Sequence, residues 1–158
     1  MVEKRNVGWR EWVALPSLDT DWIKAKVDTG ARSSSLHADD IEIIDGPEGQ
    51  IVEFSISPWQ RSSMDTVRVK APLLDWRSVR SSSGESEERP TILTPVRVRK
   101  RNVKIELTLS NRDQMGFRML LGREALRGRF LVDSGRSYLG PKPSRDIRSR
   151  NREFDEEE

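Results

Sequence analysis

Alternation of apolar and polar residues, the mark of half-buried strands, recurs along this chain from Val7 to Leu109. Trp12, Val13 and Leu15 make one segment, and in the next Ile23, Ala25 and Val27 alternate with Lys24 and Lys26. Pro16-Ser17-Leu18-Asp19-Thr20-Asp21 between them has turn chemistry, so the two segments are expected to pair as an antiparallel hairpin. A second pair runs from Ile51–Ile56 to Thr66–Val69, interrupted by Pro58 and Ser62-Ser63. The clearest hairpin places Val96, Val98, Val103, Ile105, Leu107 and Leu109 on one buried face, about a turn at Arg99-Lys100-Arg101-Asn102, with a cationic face opposite.

Elsewhere the alternation stops. Residues 81–90 carry no apolar side chain except Pro90, which predicts a loop. Met119-Leu120-Leu121 is a short apolar run closed by Gly122, and Arg123-Glu124-Ala125-Leu126-Arg127 favours one or two turns of helix. Phe130-Leu131-Val132 reads as a last short strand. Beyond Gly140 five basic and six acidic residues surround only Ile147 and Phe154, a composition expected to remain a disordered charged tail. The expected organisation is therefore an N-terminal extension over 1–6, one all-β domain with one short helix over 7–140, and a tail over 141–158.

Composition narrows the chemistry. The 158 residues hold 28 Lys plus Arg against 26 Asp plus Glu, which does not demand a nucleic-acid surface. The cationic hairpin lacks interleaved aromatic platforms and reads as a solvated face rather than an RNA site. The absence of cysteine and the single histidine exclude disulfides, thiol catalysis and zinc sites of several Cys or His. No phosphate loop is present, and neither a secretory signal nor a run long enough to span a bilayer is readable, so a cytoplasmic protein without cofactor or membrane is expected. With 34% hydrophobic residues the core is thin, which favours burial against a second copy.

One short stretch interrupts the strands with residues suited to catalysis. Asp28-Thr29-Gly30 follows an alternating strand, is continued by Ala31 and small hydroxyl residues, and is answered about ninety positions later by Leu120-Leu121-Gly122. This arrangement resembles aspartic peptidases of the retropepsin type, in which each subunit supplies one Asp-Thr-Gly-Ala loop and one apolar-apolar-Gly motif. The segments Gly8 to Val13, Lys24 to Arg32, Leu36-His37-Ala38, Leu120 to Arg123 and Phe130 to Asp133 resemble, more narrowly, the bacterial family called ATP-dependent zinc proteases. That family is associated with ATP-grasp ligases of the RimK type, which add glutamates to proteins or peptides. The resemblance covers roughly residues 7 to 140. It implies a single-lobed acid-protease barrel, an aspartic-type peptidase, and a functional link to such a ligase.

The chemistry is intelligible without the name. Hydrolysis by direct water attack needs a general base and a general acid. Two carboxylates about 3 Å apart share one proton and supply both. Asp28 is the expected catalytic group, Thr29 its hydroxyl support, and Gly30 the residue that lets backbone approach. Asp133-Ser134-Gly135 offers a second carboxylate, but only 23 residues follow Gly135, too few for another lobe. A homodimer contributing Asp28 twice completes the site economically. Ala31, Arg32, Ser33 and Arg89 are the candidate substrate contacts. Arg32 could receive a carboxylate from a glutamate-rich tail or pair internally with Asp or Glu; Arg89 either joins the cleft or caps a turn. His37 is expected to be a structural histidine, and no metal site is expected. A flap is expected either within 51–69 or in the 81–90 loop. The rival reading is a non-catalytic module that holds an extended peptide and regulates a peptide ligase.

Overall fold

The computed structural model describes residues 3–80, 83–111 and 116–151. Among the described residues there are twelve strands: β1 (Arg5–Gly8), β2 (Arg10–Leu15), β3 (Thr20–Val27), β4 (Ser34–His37), β5 (Asp39–Gly46), β6 (Gly49–Ile56), β7 (Val67–Pro72), β8 (Asp75–Arg80), β9 (Ser86–Val98), β10 (Arg101–Ser110), β11 (Met119–Leu121) and β12 (Phe130–Asp133). Two short helices, α1 (Arg123–Leu126) and α2 (Arg145–Asn151), complete the set with a 3-10 turn at Pro16–Leu18.

Hydrogen bonding in the order β10-β4-β11-β3-β2-β9, with β9 returning to β10, closes six strands into a barrel. Closure leaves its central strands no free edge. Strand β8 lies on the far part of β9, β5-β6-β7 form a separate three-stranded sheet, and β1 pairs in parallel with β12. Alternation fills the interior: Ile23, Ala25 and Val27 from β3 meet Val96 and Val98 from β9 and Val103, Ile105, Leu107 and Leu109 from β10 in one buried cluster. Val52, Phe54 and Ile56 of β6 extend that cluster into the smaller sheet. This is an all-β, single-lobed barrel with one short helix after Gly122. Among the described residues no helix is long and apolar enough to cross a membrane.

All three expected hairpins are present as β2–β3, β6–β7 and β9–β10. Two expectations fail. The stretch 81–90 is not a loop throughout, because Ser86–Pro90 opens β9 and pairs with β8 from Arg80↔Ser86 to Trp76↔Pro90. Ladder bonds use backbone groups, so a strand of charged residues forms wherever a partner strand is supplied. Ser81 and Ser82 lie outside the described residues.

The second failure is the tail, where α2 occupies Arg145–Asn151. Its anchoring is through polar side chains, which leave no apolar periodicity in the sequence. Arg150 Nη2 donates to both Asp65 carboxylate oxygens at 3.0 Å, and Asn151 Nδ2 donates to Asp65 Oδ2 at 3.0 Å. Trp59 Nε1 also reaches Asp65. Burial raises the Asp65 carboxyl, but hydrogen bonds from Arg150, Asn151 and Trp59 outweigh it and hold the group below its usual value. Ahead of α2 the chain is pinned by buried Glu11, whose carboxylate accepts backbone N–H groups from Gly8 (2.7 Å), Leu139 (2.9 Å) and Gly140 (3.0 Å). Residues 152–158 of the expected tail lie outside the described residues.

Candidate active site

Strand β3 carries the chain to Asp28 and stops, because the next residues fold into a turn closed by their own aspartate. Gly30 N–H donates to Asp28 Oδ1 at 2.9 Å, and Ala31 N–H donates to the Asp28 carbonyl at 3.2 Å. A Cβ on Gly30 would sit 3.1 Å from that carboxylate oxygen, tighter than ordinary packing. The absent side chain is what allows the turn to wrap so closely.

A second segment holds the turn from behind. Strand β11 lies between β3, to which it is parallel, and β4, to which it is antiparallel. Met119, Leu120 and Leu121 are all buried. The Leu121 carbonyl accepts Asp28 N–H at 2.9 Å, and Gly122 N–H donates to Ser34 Oγ at 3.1 Å. Arg123 N–H then reaches the Ala31 carbonyl at 2.8 Å and Glu124 N–H the Arg32 carbonyl at 3.1 Å. Gly122 lies so close to the loop that a Cβ there would stand 2.7 Å from the Ser33 carbonyl carbon. The apolar-apolar-Gly motif thus has two physical tasks: Leu121 joins the barrel core while Leu120 is buried on the other face of β11, and the glycine lets two backbones touch.

The expected site residues separate into two groups. Asp28, Thr29, Gly30, Ala31, Arg32 and Ser33 form one continuous loop against Gly122–Glu124. Asp28 is half-buried, while Thr29 and Gly30 are exposed. Thr29 contributes its carbonyl, which with that of Gly30 accepts Arg123 Nη1 at 3.3 and 3.2 Å. Arg32 adopts the internal pairing: its Nε meets Glu124 Oε1 at 2.8 Å. That hydrogen bond, followed by the guanidinium charge, holds the Glu124 carboxyl below its usual value. Next to Arg32 and Ser33 opens a groove of about 640 Å³ whose wall is Arg77, Ser78 and Val79 of β8, with Lys104 on β10. Neither candidate flap, 51–69 or 81–90, contributes a residue to the lining of this groove.

Arg89 pairs in register with Arg77 but does not line that groove. It lies within β9, is buried, and has Glu87 as its ion-pair partner at 3.5 Å. Glu87 in turn accepts from Ser110 Oγ at 3.3 Å, and Ser110 pairs in register with His37. His37 is buried with Nε2 3.2 Å from Asp39 Oδ1. Among the described residues no group of three or more His, Cys, Asp or Glu is placed to hold a metal ion.

Sequence reasoning missed Ser34, Arg123 and Glu124 as parts of this assembly. Arg123 and Glu124 follow directly on Gly122, so the motif itself was the available signal. Ser34 had none, because its role depends on a hydrogen bond across 88 positions.

The barrel, the loop and its glycine clamp define a retropepsin-like single-lobed protein. A family model described as RimB-like, retropepsin-like aspartic endopeptidase RimB, matches residues 6–143, and the chain belongs to that family. This description includes neither zinc nor ATP, so the name ATP-dependent zinc protease finds no support in it. The chain is 44% identical over 132 residues to a probable alpha-L-glutamate ligase of Desulfotalea psychrophila, covering 84% of this chain and 28% of that protein. It is 45% identical over 141 residues to a protein of the same name from Parasynechococcus marenigrum, covering 89% and 30%. The chain thus spans about three tenths of the length of these curated relatives. A crystal structure of a Legionella pneumophila protein of unknown function shares the fold with a TM-score of 0.70 at 22% identity, covering 87% of this chain and 98% of that one.

Proposed function

We propose that the chain is an aspartic-type peptidase whose catalytic pair is Asp28 from each of two subunits. The observation that supports it most directly is the Asp28 loop held by Leu121–Gly122, which fixes a carboxylate at the end of a barrel strand with its Oδ1 on the Gly30 N–H. With Oδ1 engaged by Gly30, a second Asp28 facing it supplies the proton-sharing partner that one carboxylate lacks. One member then takes a proton from the attacking water while the other gives one to the leaving nitrogen. The β1–β12 pair, standing outside the barrel with Leu131 exposed, is available for a second copy.

The substrate we infer is an acidic, glutamate-rich peptide or protein tail. Relatives are named for α-L-glutamate ligation, a reaction whose product is such a tail, and the groove beside the loop carries Arg32, Arg77 and Lys104. Substrate carboxylates would compete there with Glu124 on Arg32 and Glu106 on Arg77. The test is hydrolysis of an oligoglutamate peptide by the wild type and by Asp28→Asn. Turnover lost and binding kept supports the peptidase; cleavage that survives Asp28→Asn refutes it.

A second reading has one specific observation behind it. Matched ligases extend over more than twice this chain's share of their length, which suits a module that binds a glutamylated peptide for a ligase partner. Peptide binding with no turnover by either form would favour that reading.

A further inference from the structure

At the tip of the β9–β10 hairpin, well away from the Asp28 loop, positive charge outnumbers negative charge. Two adjoining depressions of about 740 and 370 Å³ share Arg99, Lys100 and Pro141. Between them they are lined by five cations, Lys4, Arg5, Arg97, Arg99 and Lys100, against the carboxylates Glu3 and Asp21. The arginines here spend their donors on neutral oxygens. Arg5 Nη1 bonds the Arg99 carbonyl (2.6 Å), Arg99 Nη1 the Asn6 carbonyl (2.9 Å), and Arg97 Nε the Asn102 side chain (3.0 Å). By contrast Arg32, Arg68 and Arg150 each sit on a carboxylate. Like charges held together repel, and here the fold holds them together by hydrogen bonds rather than letting them disperse.

Backbone conformation points the same way. Arg99 and Lys100 are the two turn residues, with φ of 49° and 67°. A two-residue hairpin turn of this kind favours Asn-Gly, because any larger side chain is strained in the left-handed region. Two long cations therefore occupy the positions where they cost most, and strain of this sort is found where function demands the residue. The wall opposite is fixed as well: Gly140, held by Glu11, packs where a Cβ would lie 3.0 Å from Arg99 Cγ.

We propose that this surface is a docking site for a carboxylate-rich polypeptide segment, engaged at the same time as the groove beside Arg32. The choice of an acidic polypeptide as occupant rests on the peptidase reading above. Leu107 of β10 pairs with Ser34, behind the Asp28 loop. From there to Arg101 is six residues along the strand, about 20 Å at about 3.4 Å per residue. An extended peptide needs about six residues to cover that span, so a long acidic chain reaches from the Asp28 loop to the turn and a short one does not.

The test uses the full chain carrying Asp28→Asn, with fluorescein-labelled oligoglutamates of about four and about twelve residues followed by anisotropy. The long peptide binds more tightly than the short one at low salt, and R99E/K100E weakens it about tenfold or more. Because charge reversal could disturb the turn, Arg99→Asn with Lys100→Gly is the second variant. It should raise the melting temperature, by relieving the strain, while lowering affinity for the long peptide. Unchanged affinity in both variants overturns the site. So does displacement of the peptide by polyuridylate of equal charge at lower concentration, which would give the surface to nucleic acid. The two readings fail separately: wild-type protein that binds long oligoglutamate through this patch without hydrolysing it sinks the peptidase and leaves the docking site standing. Wild-type hydrolysis with no loss of binding in the variants does the reverse.

Discussion

Asp28-Thr29-Gly30 and Asp133-Ser134-Gly135 fold into the same local turn. In each the glycine N–H reaches the aspartate Oδ1, at 2.9 and 3.0 Å, and the next N–H reaches the aspartate carbonyl at 3.2 Å. In each the following backbone is also approached by a remote glycine, Gly122 on Ser33 and Gly8 on Arg136. The difference lies in what stands behind the aspartate. Asp28 N–H is held by the Leu121 carbonyl, the Asp28 carboxyl is half-buried, and Arg123 and Glu124 bind the loop from α1. Asp133 ends β12, a strand outside the barrel, and is itself exposed. An Asx turn is local and common. The candidate site is made by β11, which only the closed barrel brings to Asp28.

The strongest way to break this comparison is to remove each carboxylate in turn. Asp28→Asn should lower turnover of an oligoglutamate substrate by about a thousandfold or more, whereas Asp133→Asn should leave it within about twofold. Comparable losses from both would place two catalytic aspartates in one chain. Subunit mixing separates the cases further. If one Asp28 comes from each copy, excess Asp28→Asn subunits poison the wild type, and activity falls on dilution through the dimer dissociation constant.

A structural contrast comes next in size. Gly122→Ala forces a Cβ against the Ser33 carbonyl, where both partners are backbone and neither can yield cheaply. We expect a loss of about 3 kcal/mol or more in urea unfolding. At Gly135 the nearest atom to a new Cβ is Asp133 Oδ1, an ordinary contact at 3.6 Å, so Gly135→Ala should change stability by no more than about 0.5 kcal/mol. Equal costs would mean that the clamp behind Asp28 is no tighter than the turn at Asp133.

These contrasts also mark where the sequence was legible. Period-two alternation identified β2, β3, β6, β7, β9 and β10, because their side chains divide cleanly between core and solvent. It missed β8 and the start of β9, where Glu87, Glu88 and Arg89 form ladder bonds without supplying an apolar face. It missed α2, whose hold on the protein is one carboxylate taking donors from Arg150 and Asn151. At the site, Asp28 and Gly122 were legible as a pair only through resemblance, since nothing in spacing alone joins positions 94 apart. Arg89, read as a loop residue that either joins the cleft or caps a turn, is a buried strand residue paired with Glu87.

The chain beyond Asp133 offers a smaller test. Instead of starting a second lobe, it runs past Glu11 into α2 and ends its described course on Asp65. Asp65→Asn should cost about 1–2 kcal/mol and release α2, seen as new hydrogen exchange over 145–151, without altering turnover. Asp65 is held below its usual value, so its contribution is present above the unfolded value and lost as pH falls through the folded one. Helix docking should therefore survive mild acidity and fail only in strong acid. A helix that undocks near neutral pH would contradict the Asp65 anchor.

The smallest effect concerns the outer end of the Asp28 loop, which Arg32 ties to Glu124. Both side chains are exposed, at 79% and 51%, so the pair is screened and contributes little to folding. Arg32→Ala should shift the melting temperature by no more than about 1–2 °C at neutral pH. Its clearer trace is in titration: Arg32 donates to Glu124 and holds that carboxyl low, so carboxyl NMR should show it rising toward the ordinary glutamate range in the variant. The depressed value also fixes the sign of the linkage. The pair stabilises the protein above the unfolded value of Glu124 and ceases to do so as pH drops through the folded value, so wild type and variant should converge in acid. If Arg32 is also the receiver of a substrate carboxylate, the same variant raises KM for oligoglutamate several-fold while melting barely moves. An unchanged KM would leave Arg32 as a tie between the loop and α1 and nothing more.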